Sequence, residues 1–304
     1  MLATTVLTRC VRLNSASQLR RSLQIGTRSV SNLVLKEADS SGVVTLKLNA
    51  PPVNALTRPL LSEISNSLHE IVTQVDLKKS ESQAPLVNGV VLTSNLNHQF
   101  CAGLDLRELH HPDPEKLKDY LQLFLKTLRS LAALPIPTAA VYNGHALAGG
   151  AVLGMACERR FLFRGQPPKS QNGASYWVGL NETAIGLAIP PFLRELAHFV
   201  VNYPAEFDVY LEHGTVFQPD DAYKVGMVDD IDDELEQATA KAREWCLSES
   251  VQQPRDERMQ AKLRARARLL KVLDDIDGQS NHLLESVLKP GFQQGLDARF
   301  KKSA

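Results

Sequence analysis

The sequence predicts an α/β fold built on a parallel sheet with helical crossovers. Two observations carry this. Short β-branched or apolar runs alternate with longer segments of helical periodicity from about residue 33 onward, and the links between them are short. The chain is also long enough for a large core, with 304 residues of which 43% are hydrophobic.

The elements follow in order. "VVTLKLN" (43–49) is β-branched and alternating, which predicts a strand. "RPLLSEISNSLHEIVTQV" places Leu60, Leu61, Ile64, Leu68, Ile71, Val72 and Val75 at helical spacing. "NGVVLTS" (88–94) reads as a short buried strand. "LKDYLQLFLKTLRSLAAL" puts Leu117, Tyr120, Leu121, Phe124, Leu125, Leu128 and Leu131 on one helix face. "IPTAAVYNG" (136–144) is a further strand closed by Gly144. Helices dominate after Pro190, and 232–304 is almost wholly helical. There "QAKLRARARLLKVLDDI" is basic and amphipathic, which reads as a solvated helix face. "GQPPKSQNGAS" (165–175) reads as a surface loop.

The first residues stand apart. Residues 1–36 hold Arg9, Arg12, Arg20, Arg21 and Arg28, many Ser and Thr, and no acid before Glu37. Arginines interrupt any secretory apolar segment, so 1–30 is expected to be a mitochondrial transit peptide and the protein a matrix protein. The formal net charge is zero, so no global charge favours nucleic acid. No apolar run is long enough to span a bilayer. Cys10, Cys101, Cys157 and Cys246 are scattered and fit neither a zinc site nor a disulfide framework.

Three stretches suggest chemistry. "FCAGLDL" (100–106) follows a strand, and its small residues let backbone approach a ligand. "NGHALAGGAVLGMAC" (143–157) turns into a helix at Gly149-Gly150, whose free N–H groups favour a developing negative charge. Its spacing fits neither G-x-G-x-x-G nor the P-loop. "GLNETAIGLAIPPF" (179–192) contains an Asn-x-Thr triplet, formally a glycosylation acceptor, but it also sets Glu182 among apolar neighbours. If Glu182 faces inward, desolvation raises its pKa and makes it a stronger base. The alternative is an exposed loop glutamate. Two amides and one carboxylate suit proton abstraction beside a carbonyl. No G-x-S-x-G is present, and His145 and His198 lack motif context. His110-His111 reads as a solvated loop pair.

These residues, in this order, resemble the crotonase (enoyl-CoA hydratase/isomerase) superfamily from about Leu33 to the C-terminus. "APPVNALTRPLL", "GVVLTSNLNHQFCAGLDLREL", "NGHALAGG" and "GLNETAIGLAIPPFL" resemble its mitochondrial 3,2-trans-enoyl-CoA isomerases of fatty-acid β-oxidation. The resemblance implies a spiral core of repeated ββα units over 31–203 and a helical trimerisation region over 204–304. It implies a homotrimer, an acyl-CoA substrate and no metal or other cofactor.

It also implies site roles. Glu182 is the catalytic base, and the amides of Ala102 and Gly149 bind the thioester oxygen. Ala102, Gly103, Leu104, Asp105, Leu106, Gly149 and Asn181 bind substrate. The "PPVNAL" turn (51–56) lies against the CoA adenosine. Hydratases of the superfamily carry a second glutamate in G-G-G-C-E-L, and Val152 stands there. A lone Glu182 implies isomerisation of 3-enoyl-CoA, cis or trans, to trans-2-enoyl-CoA. The alternatives are a hydratase or other crotonase-type lyase, with Asp105 or Glu158 as second acid, and a non-catalytic acyl-CoA- or RNA-binding relative using Arg264, Arg266 and Arg268. Glu158 stands where aspartate is common, and the 165–175 loop looks longer than usual.

Overall fold

A computed structural model describes residues 32–77, 87–167, 175–251 and 255–303. The leader over 1–30 and most of the 165–175 loop lie outside these residues. At the loop's base, the Ser175 hydroxyl donates to the Gly165 carbonyl at 2.6 Å.

The predicted alternation is present. The chain runs β1 (Val34–Ala38), β2 (Val43–Leu48), α1 (Arg58–Leu77), β3 (Gly89–Ser94), β4 (His98–Cys101), α2 (Leu106–Leu109) and α3 (Pro114–Ala132). It continues through β5 (Thr138–Tyr142), β6 (Gly144–Leu147), α4 (Gly149–Ala156), β7 (Arg159–Phe163) and β8 (Val178–Gly179). A single 3-10 turn, Thr183–Ile185, leads to α5 (Pro191–Val200), α6 (Pro204–His213), β9 (Val216–Phe217), α7 (Pro219–Val225) and β10 (Asp230–Asp232). The last helices are α8 (Leu235–Val251), α9 (Arg255–Ala265), α10 (Ala267–Asp274), α11 (Ile276–Val287) and α12 (Pro290–Ser303).

Successive strand pairs divide between two sheets. One has the order β1-β2-β3-β5-β7-β10 and the other β4-β6-β8-β9. Thus β3/β4, β5/β6 and β7/β8 each give one strand to each sheet before the chain moves on, which is the spiral of repeated ββα turns. All pairings are parallel except β1 with β2 and β8 with β9. The edge strand β10 comes from beyond residue 204, so that region is not helical throughout.

The alternation read in 43–49 is not expressed as one wet face. Five of the six β2 residues are buried. The reason is α8, which covers the outer face of the larger sheet. Its Ala238, Ala242 and Cys246 pack on Val43, Val91, Ala139, Val141 and Phe161. A parallel sheet covered on both faces needs apolar residues on both. The opposite face packs on α1, α3 and α4 in the main core.

The basic segment 260–276 also differs from its reading. It is two helices, broken at Arg266, and its basic residues divide: Arg264, Arg268 and Lys271 are solvated as read, while Lys262 and Arg266 are not. Arg266 is 2% exposed and Lys262 7%. The Arg266 guanidinium donates to the carbonyls of Ala132, Ala156 and Cys157 at 3.2, 2.6 and 2.9 Å. Lys262 donates to Leu134 and Ile136 at 2.7 and 3.0 Å. Several of these carbonyls close α3 and α4. Helix C-termini leave carbonyls unpaired and carry partial negative charge, so buried cations satisfy both needs.

Candidate active site

The site is assembled where three strand ends meet helix starts. The first wall comes from the 50–56 turn. Asn54 is fully buried, accepts from the Ala50 amide at 2.7 Å, and donates to Ser94 Oγ at 2.7 Å and to the Phe100 carbonyl at 2.8 Å. This lays the turn against 101–104, where Leu56 N–H donates to Gly103 at 2.8 Å.

That contact overturns one expected role. The Ala102 N–H donates to the Val53 carbonyl at 3.1 Å, so it is already engaged. The Gly103 N–H meets Cys101 Sγ at 3.4 Å, and the Asp105 N–H donates to the Tyr120 hydroxyl at 3.0 Å. In this turn the amide left without a partner among the described residues is that of Leu104. No local pattern signals this, because the competing acceptor, Val53, lies about fifty residues upstream.

The second wall is the start of α4. Its first amide, on Gly149, has no partner among the described residues, as helix geometry requires for a first turn. Ala148, just before it, sits at φ 47 and ψ −126, a costly backbone for a residue with a side chain. The Ala148 N–H donates to the Gly179 carbonyl at 2.9 Å, which holds the turn. Gly103 takes φ +90, open to glycine, and packs directly on this helix start. A Cβ placed on Gly149 would stand 3.3 Å from Leu104 N, so the two partnerless amides lie side by side.

The third wall is 179–187. Glu182 begins the 3-10 turn, and its carbonyl accepts from Ile185 at 3.1 Å and Leu187 at 2.9 Å. The Thr183 hydroxyl donates to Leu211 at 2.7 Å, which pins the stretch to α6. Thus the Asn-x-Thr triplet is built into the fold. Asn181 lines the cavity and its buried Oδ1 lacks a partner among the described residues, so the acceptor reading fails.

The three walls enclose one cavity. Of the expected residues it brings together Ala102, Leu104, Leu106, Gly149, Asn181 and Glu182. Gly103 and Asp105 do not line it. Asp105 caps α2, accepts from the Arg107 amide at 3.0 Å and pairs with its guanidinium at 2.8 Å. Val152 also faces the cavity. The far end is apolar, with Leu109, Phe124, Phe192, Leu193 and Leu283. Sequence periodicity marked Phe124 only as a core residue. Arg299 of α12 stands at the lining too and was not foreseen.

Glu182 is the lone acid among the lining residues. Its Oε2 has no hydrogen-bond partner among the described residues. Burial pushes its carboxyl up to about 7. A charge in an apolar bed is disfavoured, and Arg299, the cation of the lining, is not among the groups that shift it. The other proposed acids are elsewhere. Glu158 binds Lys262 at 2.7 Å and Arg258 at 2.9 Å, away from the cavity. His145 accepts from the Trp177 amide at 3.0 Å, and His198 pairs with Asp208 at 2.7 Å. Burial pushes the Cys101 thiol up to about 12, so it stays neutral.

Comparison with known proteins agrees with this geometry. Residues 38–301 match the enoyl-CoA hydratase/isomerase family. The chain is 31% identical over 247 residues to the mitochondrial enoyl-CoA delta isomerase 1 of Rattus norvegicus, covering 77% of this chain and 75% of that protein. It is similar in structure to human mitochondrial delta3-delta2-enoyl-CoA isomerase, with a TM-score of 0.77, 26% identity, and coverage of 89% and 98% of the two chains. An enoyl-CoA hydratase from Bacillus halodurans shares the fold, with a TM-score of 0.70 at 17% identity over 88% of this chain and 99% of that one.

Proposed function

The chain belongs to the enoyl-CoA hydratase/isomerase family, and on that premise we propose that it is an enoyl-CoA isomerase in which Glu182 alone moves the proton. The observation that carries this reading is a cavity with one carboxylate, two amides that have no partner among the described residues, and an apolar Val152 facing the same space.

A C2 proton of a 3-enoyl-CoA is acidified by the thioester and by the adjacent alkene. Ionised Glu182 takes it. The negative charge moves to the thioester oxygen, where the Leu104 and Gly149 amides donate to it. Losing one such donor costs about 3–4 kcal/mol of transition-state stabilisation. Protonated Glu182 returns the proton at C4, which leaves trans-2-enoyl-CoA. Atoms and charge balance without a metal or redox group. A pKa near 7 suits a group that must act as base and then as acid at neutral pH.

Hydration would need a second acid to hold water. Asp105 is held by Arg107 and Glu158 by Lys262 and Arg258, so neither supplies it. The RNA-binding alternative loses part of its support, since of its three arginines only Arg264 is both exposed and without an ion pair among the described residues. Arg266 is buried, and Arg268 pairs with Glu195 at 2.8 Å. We assign the protein to fatty-acid breakdown in the mitochondrial matrix, as a homotrimer delivered by its 1–30 leader. The relatives' mitochondrial names and the leader's composition support the location, and the homotrimer rests on the family resemblance alone. Among the described residues no helix is long and apolar enough to cross a membrane.

The test is a paired assay. Isomerisation of 3-enoyl-CoA is followed beside hydration of 2-enoyl-CoA, in the wild type and in Glu182→Gln. Isomerisation lost in the variant, with acyl-CoA binding kept, is the expected result. Rapid hydration without isomerisation overturns the reading.

A further inference from the structure

Outside the acyl cavity, one cluster of side chains converges without a role in the reaction. His110 and His111 follow α2, and both approach Asp297 of α12. The Nε2 of His110 lies 2.8 Å and that of His111 2.9 Å from the same Asp297 Oδ1. The three atoms lie within 4.8 Å of one another.

Adjacent side chains in extended backbone point to opposite sides. Here they do not, because His111 takes φ 42 in the left-handed region. The turn brings the two imidazoles together with ring centres 4.5 Å apart. This conformation is unfavourable for a residue with a side chain and persists only where surroundings enforce it. Gln293 enforces it. Its Oε1 accepts from the His111 amide at 2.7 Å, and its amide donates to Leu109 at 2.9 Å and Val287 at 2.7 Å. The Phe300 ring backs His110 at 4.7 Å and gives the cluster an apolar wall.

We propose that His110, His111 and Asp297 form a binding site for a divalent transition-metal ion of the zinc class. Two imidazole nitrogens and one carboxylate oxygen are the donor set that zinc accepts as three protein ligands, with a fourth position for water. Magnesium and calcium require six or more oxygens and are not served here. Each neutral histidine presents its Nε2 lone pair and carries its proton on Nδ1, so binding needs a tautomer choice and no redox step. Tetrahedral bonds of about 2.0–2.1 Å set ligand atoms about 3.3–3.4 Å apart, so each N···O contact opens by roughly 0.5 Å while the two nitrogens, which lie within 4.8 Å, come to the same spacing. His111 is exposed, which gives the ion a path in. The ion ties the C-terminal end of α2 to α12. These carry Leu109 and Arg299, so it stiffens one side of the acyl cavity.

The experiment is calorimetric titration of the chelator-stripped full chain with zinc chloride, repeated for His110→Ala/His111→Ala, for Asp297→Asn and for His213→Ala. The last removes an exposed histidine elsewhere. Cobalt absorption in the visible range gives a second readout that does not depend on stability. Melting curves without metal check that each variant is folded. The proposal expects saturable binding of one zinc ion per chain, kept in His213→Ala and weakened at least about 100-fold in the other two variants. It also expects a cobalt spectrum of a nitrogen- and oxygen-ligated site and no competition by magnesium. Equal zinc affinity in the double variant, or no saturable binding below millimolar zinc, overturns it and leaves the cluster a hydrogen-bonded triad only.

Discussion

Glu182 and Glu158 are both largely withdrawn from solvent, and their surroundings send them in opposite directions. Burial tends to raise both carboxyls. At Glu158 the nearby Lys262 and Arg258 outweigh it and hold the group below the usual range. At Glu182 nothing opposes burial except a backbone amide, and the carboxyl is brought up to about 7. The first is an anchor that fastens α9 to the end of α4 and the start of β5, where it also accepts from the Thr138 amide at 3.1 Å. The second, in the proposed mechanism, is a base held ready. The same residue type serves structure or chemistry according to whether a cation shares its burial.

The contrast can be broken at several points. The largest effect is expected from Glu182→Gln. It removes the base, and turnover of 3-enoyl-CoA should fall about 10³–10⁴-fold while acyl-CoA affinity measured by calorimetry stays nearly unchanged. Next is Gly149→Ala. The new Cβ would stand 3.3 Å from Leu104 N and 3.4 Å from Leu56 Cδ1, crowding the space between the two amides. We expect kcat to drop about 10²–10³-fold, the cost of a lost oxyanion donor.

The two glutamate sites should answer oppositely in stability. Lys262→Met strips Glu158 of its closest cation and should cost about 3 kcal/mol in denaturant unfolding, with turnover per folded molecule unchanged. Glu182→Gln should stabilise instead. The folded Glu182 pKa lies above its unfolded value, so the native state loses stability as pH rises from about 4.5 to about 7. The variant's advantage should therefore be small at pH 4 and reach about 3 kcal/mol above pH 7. The smallest effect is a shift in pH response. Val152→Glu puts a second carboxylate in the cavity, which should raise the apparent pKa of the base by about one unit. Detectable hydration of 2-enoyl-CoA should accompany it.

Much of this was legible in the chain. The strands at 43–49, 88–94 and 136–144 and the helices carrying Leu60 to Val75 and Leu117 to Leu131 appear where periodicity placed them, because a buried face imposes its repeat on the sequence. Glu182, Gly149 and Val152 were found from local context and resemblance, and the cavity gathers them. What failed was decided at a distance. Ala102 loses its expected role because Val53 takes its N–H, and no local pattern at 100–106 records that. The basic stretch around Arg266 looked solvated because charged residues at helical spacing usually are. Arg264, Arg268 and Lys271 are, but the burial of Arg266 depends on carbonyls ending α3 and α4, more than a hundred residues upstream. The meeting of His110 and His111 with Asp297 is likewise invisible until the chain returns in α12.

The central claim is that one desolvated carboxylate with a pKa near 7 carries the proton. The most direct test is kcat/KM for 3-enoyl-CoA isomerisation by the wild type between pH 5 and pH 9. The free enzyme must hold Glu182 ionised. We therefore expect a single ascending limb, tenfold per pH unit at the acid end, that levels with a midpoint near 7. A midpoint near 4.5, or a limb of slope two from a second acid, would contradict it.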